Sequence, residues 1–99
     1  MIQSRAMVAT ASGRRYLGQL CKHFAHKIPT ELDLDAGNGR IDFPFGTCRL
    51  KSDAEGLRLD AEAADADTLE QVQQVIESHL IRFAHREDLT MTWASTPAS

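Results

Sequence analysis

The chain has 99 residues, 42% of them hydrophobic and 25% charged, which is the composition of one folded domain and excludes a multidomain enzyme. A chain this short has a modest core, so a large enclosed substrate cavity is excluded and any site is expected to be a shallow groove. The formal net charge of −3 argues against general nucleic-acid binding, which needs a concentrated basic surface. That charge is unevenly spread: residues 1–30 hold Arg5, Arg14, Arg15, Lys22 and Lys27 without a carboxylate, whereas residues 31–70 carry eleven acids against four bases.

Residues 2–11 predict a first strand, with Ile2, Met7, Val8 and Thr10 as its strand formers. Ser12 is placed as the N-cap of a first helix whose apolar stripe is Tyr16, Leu17, Leu20, Cys21, Phe24 and Ile28. Pro29 is expected to end it. From Thr30 the period becomes two: Leu32 and Leu34 alternate with acids, and Gly37-Asn38-Gly39 predicts a hairpin turn. In the next strand Ile41, Phe43 and Phe45 take odd positions but Cys48 and Leu50 even ones. That slip of parity predicts a bulge near Gly46.

Leu57, Leu59, Ala61 and Ala63 alternate in a further strand, and a second helix is expected from Asp65 or Asp67 with the stripe Leu69, Val72, Ile76, Leu80 and Phe83. Leu89, Met91 and Trp93 predict a last strand, which leaves residues 94–99 as a tail after a single domain over 1–93. The order β-α-β-β-β-α-β fits an α+β two-layer sandwich, an antiparallel sheet with two helices on one face.

The chemically capable residues are few. His23 and His26 stand three apart on the first helix and can share an ion, whereas Cys21 and His23, two apart, project in different directions. Cys21, Cys48, His79 and His23 would be a sensible donor set for zinc if they met between the layers, although their spacing matches no standard zinc motif. Buried thiols remote from positive charge are inert, so the alternative is small core cysteines. Phe43 and Phe45, flanking Pro44, are candidates for the wall of a ligand groove or a subunit contact. Arg86, with Arg82 at the end of the second helix, can clamp an anion or cap the helix. No nucleotide-binding glycine loop, serine-hydrolase elbow or zinc-protease motif occurs in the sequence.

Three stretches, Tyr16-Leu17-Gly18-Gln19-Leu20-Cys21-Lys22-His23-Phe24-Ala25-His26-Lys27, Ile41-Asp42-Phe43-Pro44-Phe45-Gly46-Thr47-Cys48 and Ser78-His79-Leu80-Ile81-Arg82-Phe83-Ala84-His85-Arg86-Glu87, together with Trp93, resemble the bacterial domain-of-unknown-function family 2218. The resemblance covers about residues 2 to 93 and implies a small bacterial protein without an assigned activity, with relatives near iron–siderophore uptake systems. His85 stands where relatives are expected to have phenylalanine, against a ligand role for it.

The function expected is therefore a binding module for a metal ion or small ligand, accessory to iron or siderophore handling. The alternative is a non-catalytic homodimer or protein-interaction domain; an enzyme using Cys48 or His23 has the least support. The missing apolar core of a secretion signal, the two cysteines and the absence of a stretch of ~20 apolar residues predict a cytoplasmic protein with no membrane partner.

Overall fold

The computed structural model describes residues 1–96. In chain order the elements are β1 (Ile2–Ala9), α1 (Gly13–Ala25), β2 (Thr30–Asp33), β3 (Asn38–Phe43), β4 (Gly46–Asp53), β5 (Gly56–Ala63), α2 (Ala66–Phe83) and β6 (Ala94–Thr96). All strand pairs are antiparallel, in the spatial order β2-β3-β4-β5-β1-β6. The helices touch each other, and both lie on one face, α1 against β2 to β5 and α2 against β1, β4 and β5. This is the α+β two-layer sandwich that the hydrophobic periodicity predicts.

Alternation explains the layering. On β1 the even positions Ser4, Ala6 and Val8 are buried, and on β5 Leu57, Leu59, Ala61 and Ala63 are. These meet Leu17, Leu20 and Cys21 from α1 and Val72, Ile76 and Leu80 from α2 in one core. Each fully buried Leu or Ile contributes about 1.5–3 kcal/mol of transfer free energy. Among the described residues no helix is long and apolar enough to cross a membrane.

The parity slip has a different cause from the bulge expected at Gly46. Phe43 pairs directly with Gly46, so residues 41–50 form a hairpin of two strands joined by Pro44 and Phe45. Directly paired residues share a face, and Ile41, Phe43, Cys48 and Leu50 accordingly all point at the helices. Among the described residues only Gly37 and Gly56 have positive φ, so this loop is not one of the primed hairpin turns. Pro44 presets the negative φ that the first central position of a type I turn requires.

The helix ends also differ in part from expectation at α1 and agree at α2. Ser12 is the N-cap of α1 as expected, its carbonyl accepting from the Tyr16 amide at 3.1 Å, but its side chain makes no capping hydrogen bond; its amide donates to Thr10 Oγ1 at 3.1 Å. The helix ends at Ala25 rather than at Pro29, and the amides of Lys27 and Ile28 both donate to the Phe24 carbonyl. At α2, Asp65 accepts from the Thr68 amide at 2.9 Å while Thr68 answers the Asp65 amide, a reciprocal capping box.

Leu89, Met91 and Trp93 keep their alternating half-burial but form no strand. The last strand is β6, three residues of the expected tail, paired with Gln3, Ser4 and Arg5; residues 97–99 lie outside the described residues. The segment between α2 and β6 is tied down by side chains. Glu87 accepts from the hydroxyls of Tyr16 and Thr10, and the Trp93 indole donates to Glu77 at 3.3 Å. The hydrogen bond to Glu87 is the main cause, with burial next, of the upward shift of the Tyr16 pKa.

Candidate functional site: a histidine pair in an aromatic row

The second half of α1 and the last turns of α2 bring His23 and His79 together, with ring centroids 4.8 Å apart. Phe24 packs against both, at 5.0 Å from His23 and 4.9 Å from His79, and Phe83 lies 5.8 Å from His23. From Phe24 the row continues to Phe43 at 5.1 Å and on to Phe45, which stacks on Phe43 at 5.2 Å. Edge-to-face and offset arrangements of this kind each add about 0.5–1.5 kcal/mol to simple burial. The row therefore joins α1, α2 and the β3–β4 turn.

One hydrogen bond fixes the chemistry of His79. Its Nδ1 is 2.7 Å from the Val75 carbonyl oxygen, and a carbonyl only accepts, so Nδ1 carries the proton. In the neutral ring Nε2 then keeps its lone pair, which is the tautomer that metal-ligating histidines adopt when a backbone carbonyl holds the other nitrogen. His23 is exposed, and its pKa is lowered, first by loss of hydration and then by the positive charges of His79, Lys27, His26 and Arg82.

This depression has a signed consequence. Below the ordinary histidine value of 6.5 the unfolded chain binds a proton that the folded chain resists, so stability held above that pH is lost as the pH falls through the folded pKa. The thermal midpoint is expected to drop between pH ~7.5 and ~5.5, and His23→Gln to flatten that slope. An unchanged slope in the variant would remove His23 as the cause.

The other expected donors lie elsewhere. Cys21 and Cys48 are both free and buried in the layer interface, close enough that a Cys21 thiolate would raise the Cys48 pKa. Burial pushes the Cys21 thiol up to about 11 and, with Asp60 and Cys21 adding to it, pushes Cys48 still higher. The thiols thus share the core, as expected for residues on the apolar faces, but they are not open donors beside the imidazoles. His26 is exposed at the C-cap of α1; the ring that faces His23 is His79, across the helices, rather than its neighbour along the helix. Among the described residues no group of three or more His, Cys, Asp or Glu side chains is placed to hold a metal ion.

Phe43 is buried and Phe45 half-buried, so the pair forms one end of the aromatic row rather than an exposed apolar patch. Arg86 is exposed in the turn after α2, and no described contact joins it to Phe43 or Phe45. Phe24 and Phe83 belong to the histidine cluster although their helical spacing reads only as core stripe; their position at the last residues of the two helices was the available signal.

The comparisons with known proteins agree with this architecture. The model of the family described as "Uncharacterized protein conserved in bacteria (DUF2218)" matches residues 5–94. The chain belongs to this family. The NMR structure of PA4090 from Pseudomonas aeruginosa is similar over 95% of this chain and 96% of that one, at 35% identity and a TM-score of 0.80. No match was found among curated proteins. For this DUF2218 chain the match spans α1, the Phe43–Gly46 turn and α2, and so includes every ring of the aromatic row.

Proposed function

We propose that this DUF2218 chain is a non-catalytic binding module that takes a metal complex on the His23–His79 face. The observation that carries the reading is the 4.8 Å imidazole pair in which the Val75 carbonyl holds one ring in the ligating tautomer. With metal–nitrogen bonds of ~2.0–2.1 Å, two imidazoles on one tetrahedral ion have centroids about 5 Å apart. Two protein donors leave coordination positions open, so the occupant is a chelate that brings its own remaining ligands, and Phe24 and Phe83 offer it an apolar wall. Imidazole suits zinc, copper, nickel and iron. In the setting that the family resemblance implies, the complex would be an iron chelate and the role accessory to iron or siderophore handling.

The test is calorimetric titration of untagged protein with nickel, zinc and ferrous ion, alone and with a bidentate chelator that leaves open positions. Stoichiometric binding is expected, with His23→Ala and His79→Ala each lowering affinity at least ~10-fold, since even a supporting residue of a metal site is worth ~10–100-fold. Equal binding by both variants would end the reading.

A second reading, an interaction module or homodimer, rests on Ile81, which is 52% exposed on α2. A monomeric mass at high concentration, unaffected by Ile81→Ser, would dispose of it.

A further inference from the structure

Among the described residues no element packs on the sheet face turned away from the helices, and the strand register arranges its charges in rows. One row reads Arg40, Arg49, Asp60 and Arg5 across β3, β4, β5 and β1; the next places Lys51 opposite Arg58. Arg40 opposite Arg49 and Lys51 opposite Arg58 are two adjacent cross-strand pairs of like charge. Such pairs sit with Cβ atoms ~4.5–5.5 Å apart and destabilise a sheet.

Three carboxylates on this face are already paired with bases. Asp60 holds Arg5 at 2.5 Å and Arg58 at 3.2 Å, one on each oxygen. Arg40 lies 3.2 Å from Glu31 and 3.3 Å from Asp42. Among the described residues Arg49 and Lys51 have no ion-pair partner. They stand two apart on a central strand, on one face, roughly 6.5–7 Å from each other along the chain. Three grooves meet at Arg49: one of about 280 Å³ toward β2, one of about 150 Å³ toward β1, and one of about 180 Å³ that also holds Asn38, Lys51 and Arg58.

We propose that Arg49 and Lys51, flanked by Arg40 and Arg58, form a binding site for a small molecule that carries a doubly charged oxyanion group, a phosphate monoester or a di- or tricarboxylate. The planar guanidinium of Arg49 takes two oxygens side by side, and the Lys51 ammonium supplies a mobile point charge. Such an anion offsets both like-charge pairs at once. Glu31, Asp33, Asp42, Asp60 and Glu62 border the same face, so the occupant is compact; an extended polyanion would meet their repulsion. The site is independent of the histidine pair, which lies on the other side of the sheet.

The experiment is an NMR and thermal-shift titration with inorganic phosphate and with citrate at constant ionic strength. Saturating shifts of amides around Arg49 and Lys51 and a raised thermal midpoint are expected, with citrate or phosphate the stronger according to which source the site serves. Arg49→Gln and Lys51→Gln should each weaken binding ~10-fold or more, while His79→Ala leaves it unchanged. Without ligand, Lys51→Gln should melt no lower than the parent, because it removes the like-charge pair with Arg58 while its other cross-strand neighbour, Asn38, is neutral. Shifts that fail to saturate, that persist in both variants, or that centre on the Arg14, Arg15 and Lys22 surface of α1 would overturn the proposal.

Discussion

Gly46→Ala is expected to destabilise the protein by about 2–3 kcal/mol, at the upper end of the ~1–3 kcal/mol typical of overpacking, and to lower the thermal midpoint by roughly 10–20 °C. A Cβ built at Gly46 meets the Glu62 carbonyl oxygen at 2.6 Å, Val72 Cγ2 at 2.7 Å and Ala63 Cβ at 3.2 Å. Two of these neighbours sit on β5, to which β4 is hydrogen-bonded, and the third is on α2. A side-chain methyl can rotate away, but a ladder carbonyl cannot move without opening β4 from β5. Gly39→Ala is the control: its Cβ meets Cys21 Sγ at 2.6 Å and Leu17 Cδ1 at 3.0 Å, both side chains, so Gly39→Ala with Cys21→Ala should recover much of the loss. Urea or thermal unfolding followed by circular dichroism measures both. A Gly46→Ala loss under ~0.5 kcal/mol would mean that α2 does not approach the sheet this closely.

The same glycine shows where the sequence is legible and where it is not. Period-two and helical spacing are local consequences of which face is buried, so Leu57 to Ala63 and Leu69 to Leu80 can be read directly. The slip between Phe43 and Cys48 has two local solutions, an extra residue in one strand or a two-residue turn between two strands, and both reverse the parity. Pro-Phe lacks the asparagine or glycine that advertises the commoner hairpin turns, so only the pairing of Phe43 with Gly46 decides it. Ser12 is legible as the N-cap position, but that its hydroxyl makes no capping hydrogen bond is not. The candidate site was legible as individual donors and not as a set. Helical geometry correctly separates Cys21 from His23, but which histidine faces His23 depends on where α2 crosses α1, and no spacing along one helix contains that information.

Alkylation of Cys48 in the folded protein is expected to be slower than in the unfolded chain by about 10³-fold or more. The Cys48 side chain has no solvent exposure, and its pKa is raised chiefly by desolvation, with further rises from Asp60 and Cys21, so both access and thiolate are suppressed. Reagent then reaches it only through opening, and even a domain at the low end of native stability, about 5 kcal/mol, is open less than once in 10³. Cys21, 1% exposed with its sulfur against the β3 backbone at Gly39, should follow the same course. Mass spectrometry of iodoacetamide-treated protein at pH ~8, with and without urea, separates the two rates. A matching result is that Cys48→Ala leaves metal affinity intact while His79→Ala does not. Fast modification of Cys48 in the native protein would return the thiols to the site.

The pairing of β1 between β5 and β6 has a practical corollary for such measurements. Gln3 stands opposite both Glu62 and Thr96, and Glu62 stands opposite Thr47, so β1 begins and β6 finishes at the same end of the strands as the Phe43–Gly46 turn. A polyhistidine purification tag joined ahead of β1 would start from that end of the sheet and supply imidazoles of its own. Apparent metal capture by a tagged preparation therefore reports on the tag as much as on His23 and His79, and cleaving it belongs at the start of the work.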